Sequence, residues 1–244
     1  MYKRQLENWV PFISRKTFGI GGAEGASISL FDLIKLSLRY RPDYIIVGEV
    51  RGEEAYVLFQ AVATGHGGLC TIHADSIDHV VKRLTSPPMN VAEVYIPLMN
   101  LCIYVARVPP PRKGRGAIFG RRARMIWEIK AYRDYNVVSE WIPSQDSFKT
   151  DIEDSFLLRK IAMIKGVSKD EVFEEVMLRK NFFDYLLKNG VRGYEEVTQA
   201  IAGFYALKDL SEESLNSRYG LDEGLTGGSM KISDKVARWF QGVG

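Results

Sequence analysis

The sequence predicts an α/β protein: a parallel sheet with helices, then a β-hairpin, then a C-terminal helical bundle. Three observations predict it. Apolar runs of strand length, Tyr44–Val47, Leu69–Ile72 and Leu101–Val105, alternate with segments of helical period in the first 110 residues. Two β-rich runs, Ala123–Tyr132 and Asn136–Ile142, flank Arg133-Asp-Tyr135. From about Asp154 the apolar spacing turns helical. The composition, 46% hydrophobic and 26% charged over 244 residues, is that of a globular chain and excludes disordered, collagen-like and disulfide-scaffold classes. At roughly 150 residues per domain, one or two domains are expected.

Each element has its local reason. Ser29 caps a helix in which Leu30, Leu33, Ile34, Ser37 and Leu38 share a face, and Pro42 ends it. Tyr44–Val47 is apolar throughout, as a central parallel strand requires. Ala55, Leu58, Phe59 and Val62 mark a second helix; Ile77, Val80, Val81 and Leu84 mark a third, stopped by Pro87-Pro88. Val10–Ser14 is short and apolar, and Gly19–Gly25 reads as a loop. Ser168-Lys-Asp-Glu171 is a capping box before a helix ending at Gly190; Val197, Ile201, Phe204 and Tyr205 mark one more. The expected organisation is a sheet region over 1–110, a basic loop and hairpin over 111–150, a helical part over 151–210 and a Gly/Ser-rich tail over 211–244.

The net charge, 33 − 30 = +3, is too small to argue for nucleic acid. Cys70 and Cys102 lie in apolar runs without a C-x-x-C, and read as buried thiols in a reducing compartment. The polar first eight residues lack a secretory apolar core. The run Val94–Val108, broken by Pro97, Asn100 and Arg107, falls short of the ~20 apolar residues of a span. A cytosolic protein is expected, with docking to a membrane left open.

Two segments carry chemistry. In Asp43-Tyr-Ile-Ile-Val-Gly-Glu49-Val-Arg51 an apolar strand delivers a carboxylate at its C-terminal end, the edge where parallel sheets bind ligands. Glu49 there can polarise an attacking water or hold a water on Mg²⁺ beside a triphosphate; Gly48 leaves space for close approach. The alternative is a surface ion pair. In Thr64-Gly-His66-Gly-Gly-Leu-Cys-Thr-Ile-His73 a second strand ends on His73, whose imidazole can donate to a phosphate oxygen or serve as a satisfied structural histidine. His66, and still more His79 beside Asp78, read as structural or solvated. The histidines lack the tight spacing of a zinc site. The chain contains no G-x-x-x-x-G-K-[ST] phosphate loop, and Gly19–Gly25 misses G-x-G-x-x-G because Glu24 stands where the last glycine belongs. Arg107, Arg112, Lys113, Arg115, Arg121, Arg122 and Arg124 form a basic cluster that reads as a solvated loop, with phosphate, an acidic membrane or a neighbouring subunit as alternatives.

Over about residues 5–207 the chain resembles the secretion ATPase superfamily of type II secretion, type IV pili, type IV secretion and archaella. Arg41–Gly52 looks like its Walker B box, Thr64–Asp75 like its His box. Gly-Gly-Leu-Cys70, Arg83–Asn90, Leu6–Pro11 and the helical end Leu157–Tyr205 look like its archaeal branch. The resemblance implies a partial RecA-like P-loop NTPase sheet. It also implies ATP and Mg²⁺ as cofactors, a homo-hexamer, and a polytopic membrane platform protein as partner at the cytoplasmic face. Carried over, Glu49 would activate water and hold Mg²⁺ through water, and His73 would contact the γ-phosphate. Thr64, Gly65 and His66 would shape the His-box turn. Arg51 matches the family's Arg after the glutamate, and Arg15 sits where related chains place an Arg toward nucleotide. The family's N-terminal domain, Walker A loop and Asp box find no match, so the expectation is the C-terminal half of such an ATPase, inactive until a Walker A half completes it. The alternatives are a non-catalytic, platform-binding assembly module and a basic binder of membrane or nucleic acid.

Overall fold

A computed structural model describes residues 9–15, 27–109 and 119–218, the last dozen of these by backbone alone. The elements run α1 (Leu30–Ser37), β1 (Tyr44–Val47), α2 (Glu54–Ala63), β2 (Gly67–Cys70), α3 (Ile77–Thr85), β3 (Leu101–Val108), β4 (Gly120–Ala131), β5 (Asp134–Ile142), β6 (Ser147–Thr150), α4 (Phe156–Lys165), α5 (Lys169–Lys188) and α6 (Tyr194–Arg218). They form two units, Met1–Leu157 and Leu158–Gly244.

In the first unit β1 and β2 pair in parallel, Tyr44 opposite Gly67 and Val47 opposite Cys70. The second strand begins two residues before the apolar run Leu69–Ile72, because close packing sets its start. A Cβ on Gly67 would lie 2.5 Å from the Tyr44 ring, and one on Gly68 2.5 Å from a Val62 methyl of α2. Only glycine lets the strand lie this near its neighbours. Ile45 and Val47 face inward against Leu58 of α2 and Val80, Val81 and Leu84 of α3. Tyr44 and Ile46 face outward and are exposed. The expected strand buried on both faces is therefore covered on one, where the helices pack.

The run at Leu101 departs further from expectation. It does not extend the parallel sheet; β3 pairs antiparallel with β4, in a four-stranded sheet ordered β3-β4-β5-β6. The cause is local. A 3₁₀ segment, Glu93–Met99, ends on Asn100 at φ 54°, and the Asn100 carbonyl accepts from the Ile129 N–H of β4. The expected hairpin is present as β4–β5, turning at Arg133 with φ 62°, and β6, which no sequence pattern marked, adds an edge. Trp127 and Ile129 carry the antiparallel sheet into the same core as β1, with Ile96, Val50 and Val91 fully buried.

Glu128 on β4 is 2% exposed. It accepts from the Ser155 hydroxyl, from the Phe156 N–H at 2.7 Å and from the Leu157 N–H at 3.2 Å, so a carboxylate caps the first turn of α4.

The capping box expected at Ser168 is formed with Glu171 as reciprocal acceptor, and the cap expected at Ser29 is a full box, completed by Asp32. In the second unit Phe182 and Leu186 of α5 pack on Phe204 of α6, the two rings 4.7 Å apart. Gly190 ends the turn after α5 at φ 70°. The last helix continues past Ser211 to Arg218, into the stretch read as a tail. Gly19–Gly25 and the rest of that tail lie outside the described residues.

The expected cost of Glu128→Ala is on the order of 2–4 kcal/mol, because three donors lose a charged acceptor in a dry site. Chemical denaturation of the full chain measures it, and Glu140→Ala on the exposed face of β5 provides a near-neutral reference.

Candidate functional site

The C-terminal ends of β1 and β2 are stitched together beyond their ladder. The Val50 N–H donates to the Thr71 carbonyl at 3.0 Å, and the Thr71 hydroxyl donates to the Gly48 carbonyl at 2.6 Å. These bonds put the residues following each strand side by side. Glu49 Oε1 lies 3.4 Å from His73 Nε2, and Arg51 donates to Glu49 Oε2 at 2.5 Å. The carboxylate is half-sheltered at 23% exposure, whereas the imidazole is open at 82%.

Arg51 is held by α2. Glu54, in that helix's first turn, accepts from the Arg51 N–H at 2.6 Å and the Gly52 N–H at 2.8 Å. His73 is held by α3, whose Arg83 donates to the His73 carbonyl. The Arg51 hydrogen bond, opposed by partial burial and aided by the charges of Arg51, His73 and Arg83, keeps the Glu49 carboxyl below the usual carboxylate range. Glu49 is thus ionised at neutral pH, able to orient a water or a hydrated cation and weak as a proton acceptor.

The other sequence candidates divide. Thr64, Gly65 and His66 lie at the opposite, N-terminal end of β2 and close α2. Thr64 Oγ1 donates to the Ala61 carbonyl at 2.8 Å, His66 Nδ1 reaches the same carbonyl at 3.1 Å, and Gly65 sits at φ 102°. With a carbonyl as partner, Nδ1 carries the proton. Arg15 pairs by backbone with Ile28, and among the described residues it makes no contact with Glu49 or His73. His79 is not merely solvated: it hydrogen-bonds Asp75 one turn earlier, and Asp75 is held below the usual range by that bond. The cysteines are less buried than their apolar runs implied. Cys70 is exposed and Cys102 half-buried, although burial pushes both thiols up.

Of the basic cluster, Arg112, Lys113 and Arg115 lie outside the described residues. Arg122 forms a two-point pair with Asp146 at 2.8 and 2.7 Å, Arg107 stacks over Phe119 at 4.3 Å and Arg124 over Tyr104 at 5.7 Å. Sequence reading missed Glu54, Thr71 and Arg83. Arg83 reaches His73 across ten residues of turn and helix, a spacing with no local signature.

The family model described as type II/IV secretion system protein matches residues 21–104, which contain both strand-end boxes. An uncharacterized protein of Methanocaldococcus jannaschii, MJ1287, is 40% identical over 205 residues, covering 81% of this chain and 72% of its own. The chain belongs to the type II/IV secretion ATPase superfamily. The type IV secretion system protein PtlH of Bordetella pertussis is a more distant member, 36% identical over 117 residues, 45% of this chain and 33% of its own. This superfamily chain thus spans most of one relative and a third of another. The X-ray structure of the Legionella pneumophila ATPase DotB aligns at a TM-score of 0.30 and 19% identity, over 72% of this chain and 42% of its own, a likeness below what fixes a fold.

The carboxyl of Glu49 is expected to titrate below an ordinary glutamate in carboxyl-carbon NMR, and Arg51→Ala to move it back up. Because the folded state favours the ionised form, its contribution to stability is full above the ordinary glutamate range. It is lost as pH falls through the depressed value. An unmoved titration in the variant would show that Arg51 is not the cause.

Proposed function

We propose that this chain is the C-terminal ATPase half of a machine that drives protein export or filament assembly, completed by a Walker A-containing half into a RecA-like nucleotide site. The observation that carries this reading is the meeting of Glu49 and His73, 3.4 Å apart, on one rim of a parallel sheet. Parallel sheets place ligands at that rim, and phosphoryl transfer needs an ionised group to orient water together with donors for phosphate oxygens. Glu49 supplies the first, His73 and Arg51 the second.

Mg²⁺ fits this donor set through water. It keeps several waters and takes one or two carboxylates plus phosphate oxygens, and Glu49 offers one carboxylate. No group of three metal-ligating side chains occurs among the described residues. The β- and γ-phosphates also need a cradle of backbone N–H groups and a lysine, which the 244 residues do not spell. ATP is therefore a shared ligand of this chain and its complement.

The outer face of the β1–β2 pair supports completion by another element. Tyr44, Ile46 and Leu69 are exposed there, and β2 pairs only with β1 among the described residues. An apolar, open-edged pair of strands is a surface for further strand pairing. A ring of such completed subunits, a hexamer by family, would work at the cytoplasmic face of a membrane on a polytopic platform protein. No helix among the described residues is long and apolar enough to cross a membrane.

The Glu49–Arg51 bond favours a second reading, in which Glu49 is only an ion-pair partner and the chain a non-catalytic, platform-binding module. Co-expression with a Walker A-bearing half separates the two. The catalytic reading expects ATP hydrolysis by the complex, none by this chain alone, and a loss of at least a hundredfold in Glu49→Gln with complex formation intact. Hydrolysis indifferent to Glu49→Gln refutes it. Expressed without a complement, the chain is expected to self-associate, as light scattering would show.

A further inference from the structure

Beside the Glu49–His73 pair lies an open cleft of about 470 Å³, lined by Arg51, Asp75, His79, Lys82, Arg83 and the buried Met89. Its charges do not balance. Of the two carboxylates at hand, Asp75 is engaged by His79 and Glu49 by Arg51. That leaves Lys82 and Arg83, adjacent on α3 and both exposed, facing one cavity with no carboxylate of the lining paired to either. Their position in the last turn of α3 suits the helix dipole, which explains cations at that end but not a cavity between them. Lys82 and Arg83 on a shared concave wall, neither in an ion pair among the described residues, raise the local potential for an anion.

Arg83 has a second engagement. One arm of its guanidinium donates to the His73 carbonyl, and the remaining donors of its planar fork are available to the cleft.

We propose that this cleft, which adjoins the sheet-end rim at Arg51, is a binding site for a phosphate group, with Lys82 supplying a point charge and Arg83 a fork shared with the His73 loop. An occupant drawing on Arg83 acts on the group that fixes the His73 backbone, so occupancy of the cleft and the placement of His73 beside Glu49 are linked. The binding claim stands without the ATPase reading; only the use of the link in turnover rests on it.

The test uses the full chain and two probes, inorganic phosphate and ATP, at constant ionic strength, with chloride as control. The imidazole signals of His79, inside the cleft, and His73, outside it, are followed by NMR. The expected result is a saturable shift of His79 with phosphate. Lys82→Ala should weaken it at least fivefold, and Arg83→Gln should also displace His73. Saturation by phosphate identifies a free-phosphate site. Saturation by ATP alone identifies a nucleotide-borne phosphate, provided Lys82→Ala still weakens it. Shifts that follow chloride equally, or that Lys82→Ala leaves unchanged, overturn the proposal. Lys82 is an exposed helix residue, so its alanine variant folds; Arg83→Lys, which keeps charge without the fork, replaces Arg83→Gln if that variant does not. A cleft that binds phosphate in a chain whose completed complex lacks ATPase would sink the functional reading and leave this site standing.

Discussion

The structure of the candidate site depends on the stitch between two short parallel strands. Four residue pairs form the ladder of β1 and β2, a small pairing by the standards of parallel sheets. Two further bonds, Val50 to Thr71 and Thr71 to Gly48, extend the pairing past the strand ends. Without them Glu49 and His73 would lie on independent loops. With them, two groups 24 positions apart in sequence share a hydrogen-bonding neighbourhood, and helices α2 and α3 secure one flank each through Glu54 and Arg83.

This division of labour leaves Glu49 and His73 half-free. Glu49 has one oxygen committed to Arg51 and the other within reach of His73, while the imidazole is largely in solvent. A fully buried pair would hold its geometry more firmly but would cost several kcal/mol of desolvation per ion. The rim is thus organised by backbone and polar stitches while remaining open to solvent on the His73 side.

Much of the first unit was legible because its signals are local. The Ser29 cap, the apolar strand at Tyr44 and the periodicity of Ile77, Val80, Val81 and Leu84 each lie within a few residues, as does the Ser168 capping box of the second unit. The strand-end placement of Glu49 and His73 could be read the same way, from apolar runs that stop on polar residues. The partner of the strand at Leu101 could not: an apolar run does not state whether its neighbour is parallel, and Asn100 in a positive-φ turn settles the direction. The one-sided burial of β1 was also illegible, since Ile46 is as apolar as Ile45 and Val47 and only the location of the helices separates them. His66 was legible as well: expected as a structural histidine shaping the turn before the strand, it closes α2 through the Ala61 carbonyl.

The carboxylate that caps α4 has a consequence for how this region comes apart. Glu128 is enclosed among donors that all come from residues 155–157. Fraying of that helical start would strand a charge where water does not reach, and slippage of β4 by one residue would turn the same charge to the opposite side of its sheet. Neither event is cheap alone. Strand β4 and the beginning of the helix are therefore tied into one cooperative unit.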